Sequence, residues 1–147
     1  MLMGKIRLGL RGFTLVELLI VIVIIAVLAA IAIPKFSNSN QRSRESSLKG
    51  DLKIVRDAVQ NYYTDTTYYP ASLADLAATS APATGLDSTG ASQTITAANW
   101  HGPYLQSVPT DPVSQAAFTY STSSPTVGTV TSSATGNASD GTAYSSW

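Results

Sequence analysis

A carboxyl group lies where an ionised side chain is least expected, near the start of a long apolar run. Between Phe13 and Ile33 the only polar residues are Thr14 and Glu17, and sixteen consecutive apolar residues follow from Leu18. At about 1.5 Å per residue, a helix over this run covers about 31 Å, the hydrocarbon thickness of a bilayer. Because a charge is costly in lipid, Glu17 indicates that this helix has a destination other than lipid.

Residues that could catalyse a reaction are sparse in this sequence. His101 is the only histidine, cysteine is absent, and no acid lies close to His101 along the chain. The sequence has neither a glycine-rich phosphate loop nor a cluster with metal-ligand spacing. We therefore predict that the chain is not an enzyme and that His101 lies at the surface beside a turn.

The charges are distributed unevenly although the net charge is zero. All nine basic residues lie at or before Arg56, and the charged residues after it are all aspartates. The C-terminal part therefore carries no basic patch, and no nucleic-acid partner is expected. Lys5, Arg7 and Arg11 precede the apolar run, which predicts a cytoplasmic N-terminus with the rest of the chain outside. Without cysteines, an exported domain is held together by packing alone.

Two ordinary interpretations of the N-terminus are a secretory signal peptide and a simple permanent anchor. A small-residue cleavage site, Ala30-Ile31-Ala32, would suit the signal peptide, but the apolar run exceeds the usual length of about 7–15 residues. Neither interpretation explains Glu17.

The residues around Glu17 support a third interpretation. The segment from Arg11 through Gly12, Phe13 and Thr14 to Glu17, followed by the apolar run, resembles the processing site of type IV pilins and type II secretion pseudopilins. The resemblance implies a leader peptide at 1–12, which a prepilin peptidase/methylase removes after Gly12. It also implies N-methylation of Phe13 and a transmembrane and assembly helix at 13–34.

The resemblance also implies partners. The subunit would be a single-pass precursor in the inner membrane, assembled into a homo-oligomeric filament by a membrane platform and its ATPase. Glu17 would pair with the Phe13 amine of a neighbouring subunit; pairing with the Phe13 amine of its own chain is the alternative. A buried ion pair is best suited to fixing register, because a misplaced helix leaves two unpaired charges.

The region after the apolar run predicts a disturbed helix and then an amphipathic one. Pro34 removes a backbone donor, so a kink or local break is expected near residues 30–34, and Pro34 is assigned to assembly with Phe13 and Glu17. Whether the helix melts here in a filament stays open. Helical character returns over 47–64, where apolar residues recur every three or four positions. They are Leu48, Leu52, Val55, Val59 and Tyr62.

The head domain, 35–147, is predicted to be α+β, a long helix packed on a small antiparallel sheet as in type IV pilins. An αβ loop is expected over 65–99, with a short capped helix from Ser72 and an exposed connection over 79–99. The small sheet and the C-terminal loop are expected over 100–147. Segments 100–105 and 108–112 resemble the head of the major pseudopilin, and Trp100, Tyr104, Leu105 and Val108 are expected on the apolar side of the sheet. Strands are predicted at 118–120 and 126–130.

Pseudopilins bind calcium in a C-terminal loop, and Ser139-Asp140-Gly141 resembles the first part of it. Ser145 and Ser146 stand where a second aspartate is expected. Calcium prefers six to eight oxygens, several of them anionic, so a single carboxylate supplies few of the ligands that the ion prefers. We predict no cofactor, with calcium at Asp140 as the alternative.

These observations predict a structural subunit of a helical, type IV pilus-like filament. The alternative is the major pseudopilin of a type II secretion pseudopilus, and a membrane-anchored adhesin or DNA receptor is a third interpretation. Segment 100–112 favours the pseudopilin, whereas the Ser/Thr-rich tail favours an extracellular pilus. The filament would accordingly be extracellular or periplasmic.

Overall fold

The computed structural model describes residues 12–147, except for the side chains of residues 34 and 36–38. The chain divides into two compact units whose boundary lies between Ser39 and Asn40. One helix, α1 (Leu15–Thr66), has 52 residues and extends over this boundary. The predicted leader lies outside the described residues except for Gly12.

In the first unit, α1 is apolar on every side. Its segment Leu15–Ile33 has a mean hydropathy of 3.3, and among the described residues it is the one stretch of helix long and apolar enough to cross a membrane. None of this span is buried. A helix apolar all round needs lipid or other helices around it.

The local break predicted near residues 30–34 is not present, because the helix continues through Pro34. A proline within a helix removes one hydrogen bond and costs about 3 kcal/mol, but the bonds of the neighbouring residues remain. The Ser/Asn-rich stretch 37–40 is helical as well. These residues disfavour a helix only mildly, by about 0.7 kcal/mol at most for each residue relative to alanine.

In the second unit, α1 carries the predicted apolar stripe. Its five residues are at most 4% exposed and form one side of the core. Lys53 Nζ lies 2.7 Å from Asp57 Oδ2 on the opposite, exposed face. The helix ends at Thr66, because Thr67 adopts φ +63° and its N–H bonds to Tyr63 O at 2.7 Å.

Two small antiparallel sheets complete the second unit. The first has the order β1-β2-β3 and consists of β1 (Tyr69–Pro70), β2 (Thr84–Leu86) and β3 (Ser92–Thr94). The second pairs β4 (Thr119–Tyr120) with β5 (Val130–Thr131), Thr119 opposite Thr131. Short 3₁₀ helices lie at Leu73–Ala77, Ala97–Asn99 and Tyr144–Ser146. The α+β fold class is confirmed.

The region predicted as the αβ loop, 65–99, holds the three-stranded sheet, and two of its strands lie in the expected exposed connection 79–99, so that part of the prediction was wrong. Strands β2 and β3 are mostly polar and have no alternating apolar pattern, and their pairing with each other and with β1, rather than local propensity, creates them. The capped short helix was right: Ser72 precedes it, and Asp75 Oδ2 accepts the Ser72 N–H at 2.8 Å.

The sheet predicted to begin at residue 100 was wrong in part. Trp100, Tyr104 and Leu105 pack against the core but lie outside strands. The N–H groups of Tyr104 and Leu105 both bond to Leu76 O, at 2.8 and 2.9 Å, instead of to a neighbouring strand. Nearby prolines remove the donors that a sheet would need. The strand predicted at 118–120 is β4, and that at 126–130 is shifted to β5.

Candidate functional site

The predicted cleavage site is accessible. Gly12, Phe13 and Thr14 are exposed and precede α1 without helical structure, and the Phe13 side chain is 82% exposed. A peptidase requires a reachable backbone outside a helix, and Gly12 and Phe13 meet this condition. Cleavage and methylation themselves stay predictions.

Glu17 and Thr14 form a capping box at the start of α1. Glu17 Oε2 accepts hydrogen bonds from Thr14 N at 2.8 Å and from Thr14 Oγ1 at 2.9 Å. In return, Glu17 N donates to Thr14 Oγ1 at 3.2 Å. The carboxylate therefore satisfies its own helix N-terminus and complements the positive end of the helix dipole. The sequence contains the signal for this capping box, a Thr three residues before a Glu. The prediction for Glu17, however, named the Phe13 amine as its partner and did not include Thr14.

The surface around this acid is apolar throughout the span. Fifteen large apolar residues are exposed in the described chain from Phe13 to Ile33, and one more, Ile54, is exposed further along α1. The side chain of Pro34 lies outside the described residues, so its predicted part in assembly is not tested. The span thus presents one capped carboxylate at the end of an unbroken apolar surface.

In the second unit, Glu45 lies in a buried contact between α1 and the C-terminal residues. Its Oε1 accepts hydrogen bonds from Gln41 Nε2 at 2.9 Å, Ser139 N at 2.8 Å and Tyr144 OH at 2.9 Å. Its Oε2 accepts one from Ser139 Oγ at 2.5 Å. The Ser139 hydroxyl bond lowers the Glu45 pKa most strongly, against the opposing effect of burial. Nothing in the local sequence around Glu45 distinguishes it from a surface acid.

Asp140, the candidate calcium ligand, is already paired with protein groups. Its Oδ1 accepts from Thr142 N at 2.9 Å and Thr142 Oγ1 at 2.5 Å, and its Oδ2 lies 3.8 Å from Lys49 Nζ. The Thr142 hydroxyl is the main reason why the Asp140 pKa is lowered. Among residues 12–147 no group of three potential metal-ligating side chains is found. Asp140, beside the Lys49 ammonium group, offers one carboxylate to an ion that prefers six to eight oxygens, several of them anionic.

Asp111 is a buried acid that the sequence analysis did not single out. Its carboxylate is fully buried and accepts four hydrogen bonds. The donors are Val113 N at 2.8 Å, Ser114 N at 3.1 Å, Ser132 Oγ at 2.5 Å and Ser133 N at 3.1 Å. Burial raises its pKa, but the hydrogen bonds outweigh burial and the pKa is lowered. Asp111 therefore joins the turn after residue 110 to the chain that leaves β5.

His101 is exposed, as predicted. Its side chain is 69% exposed, and Nδ1 lies 3.6 Å from Asp65 Oδ2. Asp65 also accepts a hydrogen bond from Tyr104 OH at 2.8 Å, and Tyr104 OH accepts one from His101 N at 3.2 Å. The fold thus brings an acid to His101 that the sequence separates by 36 positions. The cluster joins the end of α1 to the Trp100–Leu105 segment.

Together, these features define a class of protein. An apolar helix with a glutamate in its first turn, preceded by an exposed Gly-Phe bond and continuing into a small α+β head, is the architecture of pilins and pseudopilins. The family profile described as "Prokaryotic N-terminal methylation motif" matches residues 10–33. The profile described as "Type II secretion system (T2SS), protein G" matches residues 35–145, and the chain belongs to this family.

Curated relatives agree with both profiles. The type II secretion system core proteins G of Pseudomonas aeruginosa and Klebsiella pneumoniae are 31% and 33% identical over 102 and 104 residues. Each alignment covers 69% of this chain, and 66% and 68% of the respective relative. The type IV major pilin protein PilA of Myxococcus xanthus is 46% identical over 59 residues, covering 40% of this chain and 27% of that protein. The chain thus spans about a quarter to two thirds of these relatives. No solved structure matches the chain.

Proposed function

We propose that this chain is a structural subunit that polymerises through its apolar helix into a filament. The observation that carries the proposal is the apolar span, none of which is buried, with Glu17 in its first turn. Copies of the span can bury one another's apolar surface, and the carboxylate supplies the one charge that must be matched. Glu17 then leaves Thr14 and pairs with the amine that cleavage creates at Phe13 of a neighbouring subunit.

Processing and localisation follow from this proposal. A prepilin peptidase/methylase removes residues 1–12 and methylates Phe13. The precursor is a single-pass protein of the inner membrane with its N-terminus in the cytoplasm, and an assembly platform with its own ATPase drives polymerisation. The exposed, non-helical Gly12–Phe13 bond supports the cleavage step.

Between the two types of filament, the head favours the pseudopilus of a type II secretion system. The protein G profile covers the head, and the two protein G relatives align over 69% of the chain. The alignment with the Myxococcus pilin covers only 40%. A cell-surface type IV pilus is the second candidate, favoured by the tail from residue 114, in which 16 of 34 residues are Ser or Thr.

Electron microscopy and mass spectrometry of filaments purified from cells test this proposal. We expect filaments whose subunit begins at N-methylated Phe13. Filaments sheared from the surface of cells at normal expression would favour the pilus, and loss of protein secretion on deletion of the gene would favour the pseudopilus. A native subunit that still carries Met1, or that stays monomeric, would contradict the proposal.

A pair of matched variants separates the two roles of Glu17. Glu17→Gln keeps the size of the side chain and an oxygen acceptor for the cap, but removes the charge. Thr14→Val removes the hydroxyl of the cap and keeps the carboxylate. If charge pairing drives assembly, Glu17→Gln enters the membrane normally and yields at least about tenfold less filament than Thr14→Val. Equal yields from the two variants would show that Glu17 acts only as a helix cap.

A further inference from the structure

The C-terminal loop, residues 136–147, has a frame of its own. Ala138 N bonds to Thr142 O at 2.8 Å, and Tyr144 N bonds to Gly136 O at 3.2 Å. Gly136 and Gly141 adopt positive φ angles, +89° and +86°, which suit glycine and close the turns. These bonds shape the loop, but they do not hold it against α1.

The contact that holds the loop is centred on an anion. Glu45 is 6% exposed, and three of the four donors around it come from the loop: the N–H and hydroxyl of Ser139 and the phenol of Tyr144. Gln41, one turn earlier on α1, supplies the fourth. A carboxylate has about four acceptor positions, so this set satisfies it. Because all four neighbours donate to the carboxylate, its acceptor positions are filled by protein groups and none is left to ligate a cation.

A second, weaker contact lies one turn further along α1. Lys49 Nζ lies 3.8 Å from Asp140 Oδ2 and 4.0 Å from the centre of the Trp147 ring. Trp147 Nε1 also donates to Thr142 Oγ1 at 2.8 Å. The Lys49 side chain is 59% exposed, so solvent screens its charge and the ion pair contributes little. Lys49 nevertheless places a positive charge beside Asp140, the one aspartate of the loop.

We infer that the C-terminal loop is fastened to α1 by a clamp made of Glu45, Ser139 and Tyr144, and that this clamp needs no metal ion. The calcium loop that the family resemblance implies would present oxygens to a cation. In this chain α1 provides the anion and the loop provides the donors. Lys49 matches the charge of Asp140, the carboxylate that calcium would otherwise use.

Hydrogen–deuterium exchange of the full-length chain in detergent tests the clamp, with amides 138–147 as the reporter. The wild type is compared in about 1 mM calcium, where extracellular modules bind the ion, and in excess chelator. We expect exchange rates in the two conditions to agree within about twofold. We expect Glu45→Gln to raise the loop's exchange by about tenfold or more, because the buried donors lose a charged acceptor. Asp57→Asn, which removes an exposed acid on the same helix away from the loop, is the matched control and should change nothing.

Two outcomes would overturn the inference. Calcium that slows exchange of the wild-type loop more than about twofold would show that a metal fastens it. Unchanged exchange in Glu45→Gln would show that the carboxylate does not. If Glu45→Gln does not fold, Tyr144→Phe serves instead, because it keeps the ring beside Trp147 and removes a single donor. Tyr144→Phe should speed hydrogen exchange of the loop by about threefold to tenfold. Unchanged exchange in this variant would reject the clamp.

Discussion

Replacing Asp111 by alanine should destabilise the head more than any other single change of an acid outside the Glu45 clamp. Asp111 is 0% exposed, and its carboxylate accepts the hydrogen bonds of four donors from two separate segments. Alanine removes the acceptor without providing another. The Ser132 hydroxyl, which is buried because its residue is 4% exposed, then has lost the carboxylate to which it donates. The other three donors lie on half-buried residues, Val113, Ser114 and Ser133, where water can replace part of the loss.

The size of the effect follows from this count. A buried group left without a partner costs about 1–3 kcal/mol, and hydrogen bonds to charged groups contribute about 1.5–3 kcal/mol each before water replaces them. One complete loss and three partial ones give about 3–5 kcal/mol. This is a large part of the 5–15 kcal/mol that is typical of a folded domain. For a domain of about 100 residues, 1 kcal/mol changes Tm by about 4–8 °C, so Tm should fall by at least about 12 °C.

Thermal unfolding of the full-length protein in detergent measures this effect, followed by near-ultraviolet circular dichroism of the head's aromatic residues. Asp87→Ala is the matched control. Asp87 also accepts four hydrogen bonds, from Thr89 N and Oγ1, Ala91 N and Gln93 Nε2, but it lies in an accessible hairpin turn. If both variants lower Tm equally, burial of the Asp111 carboxylate is not what makes it important, and the reasoning fails.

Two further predictions concern the core and the Tyr104 cluster. Leu52→Ala should lower the free energy of unfolding by about 2–5 kcal/mol, since Leu52 is only 2% exposed. Ile54→Ala, at a position that is 53% exposed, should change it by less than about 1 kcal/mol. Equal losses of the two variants in thermal unfolding would contradict the predicted apolar stripe. Burial raises the pKa of Tyr104 to about 12; the hydrogen bond from His101 N opposes the increase and the hydrogen bond to Asp65 adds to it. The stability that the neutral phenol contributes is therefore present below about pH 10 and is lost as pH rises through about 12. The ultraviolet titration of the wild type minus that of Tyr104→Phe should therefore show one phenol with a midpoint near 12, and a midpoint near 10 would refute this.

The parts of the structure that were predicted correctly are those encoded by neighbouring residues. The apolar stripe of α1 from Leu48 to Tyr62 recurs with the helical period, so its buried face could be read directly. The Ser72 cap depends on residues three positions apart. The Thr14–Glu17 capping box has the same local character, and the sequence signal for it was present although the prediction did not use it.

The parts that were missed depend on contacts between separate segments of the chain. Strands β2 and β3 are short and mostly polar, and they exist because they pair with each other and with β1. Glu45 meets Tyr144 across 99 positions, and Asp111 meets Ser132 across 21. Local sequence cannot distinguish such a buried acid from an exposed one, since its burial is decided by the donors that folding brings to it.

The sequence by itself determined the class of this protein: an apolar span with one acid, an N-terminal processing motif and an amphipathic helix that covers a small head. Hydrophobic periodicity and the cost of a charge in lipid are properties of the local chain and give the apolar span and the amphipathic helix. The processing motif is identified by its resemblance to type IV pilins and pseudopilins. Only the tertiary structure decided how the C-terminal loop is held. The donors of Ser139 and Tyr144 converge on Glu45, and Lys49 faces Asp140, because folding returns the end of the chain to α1.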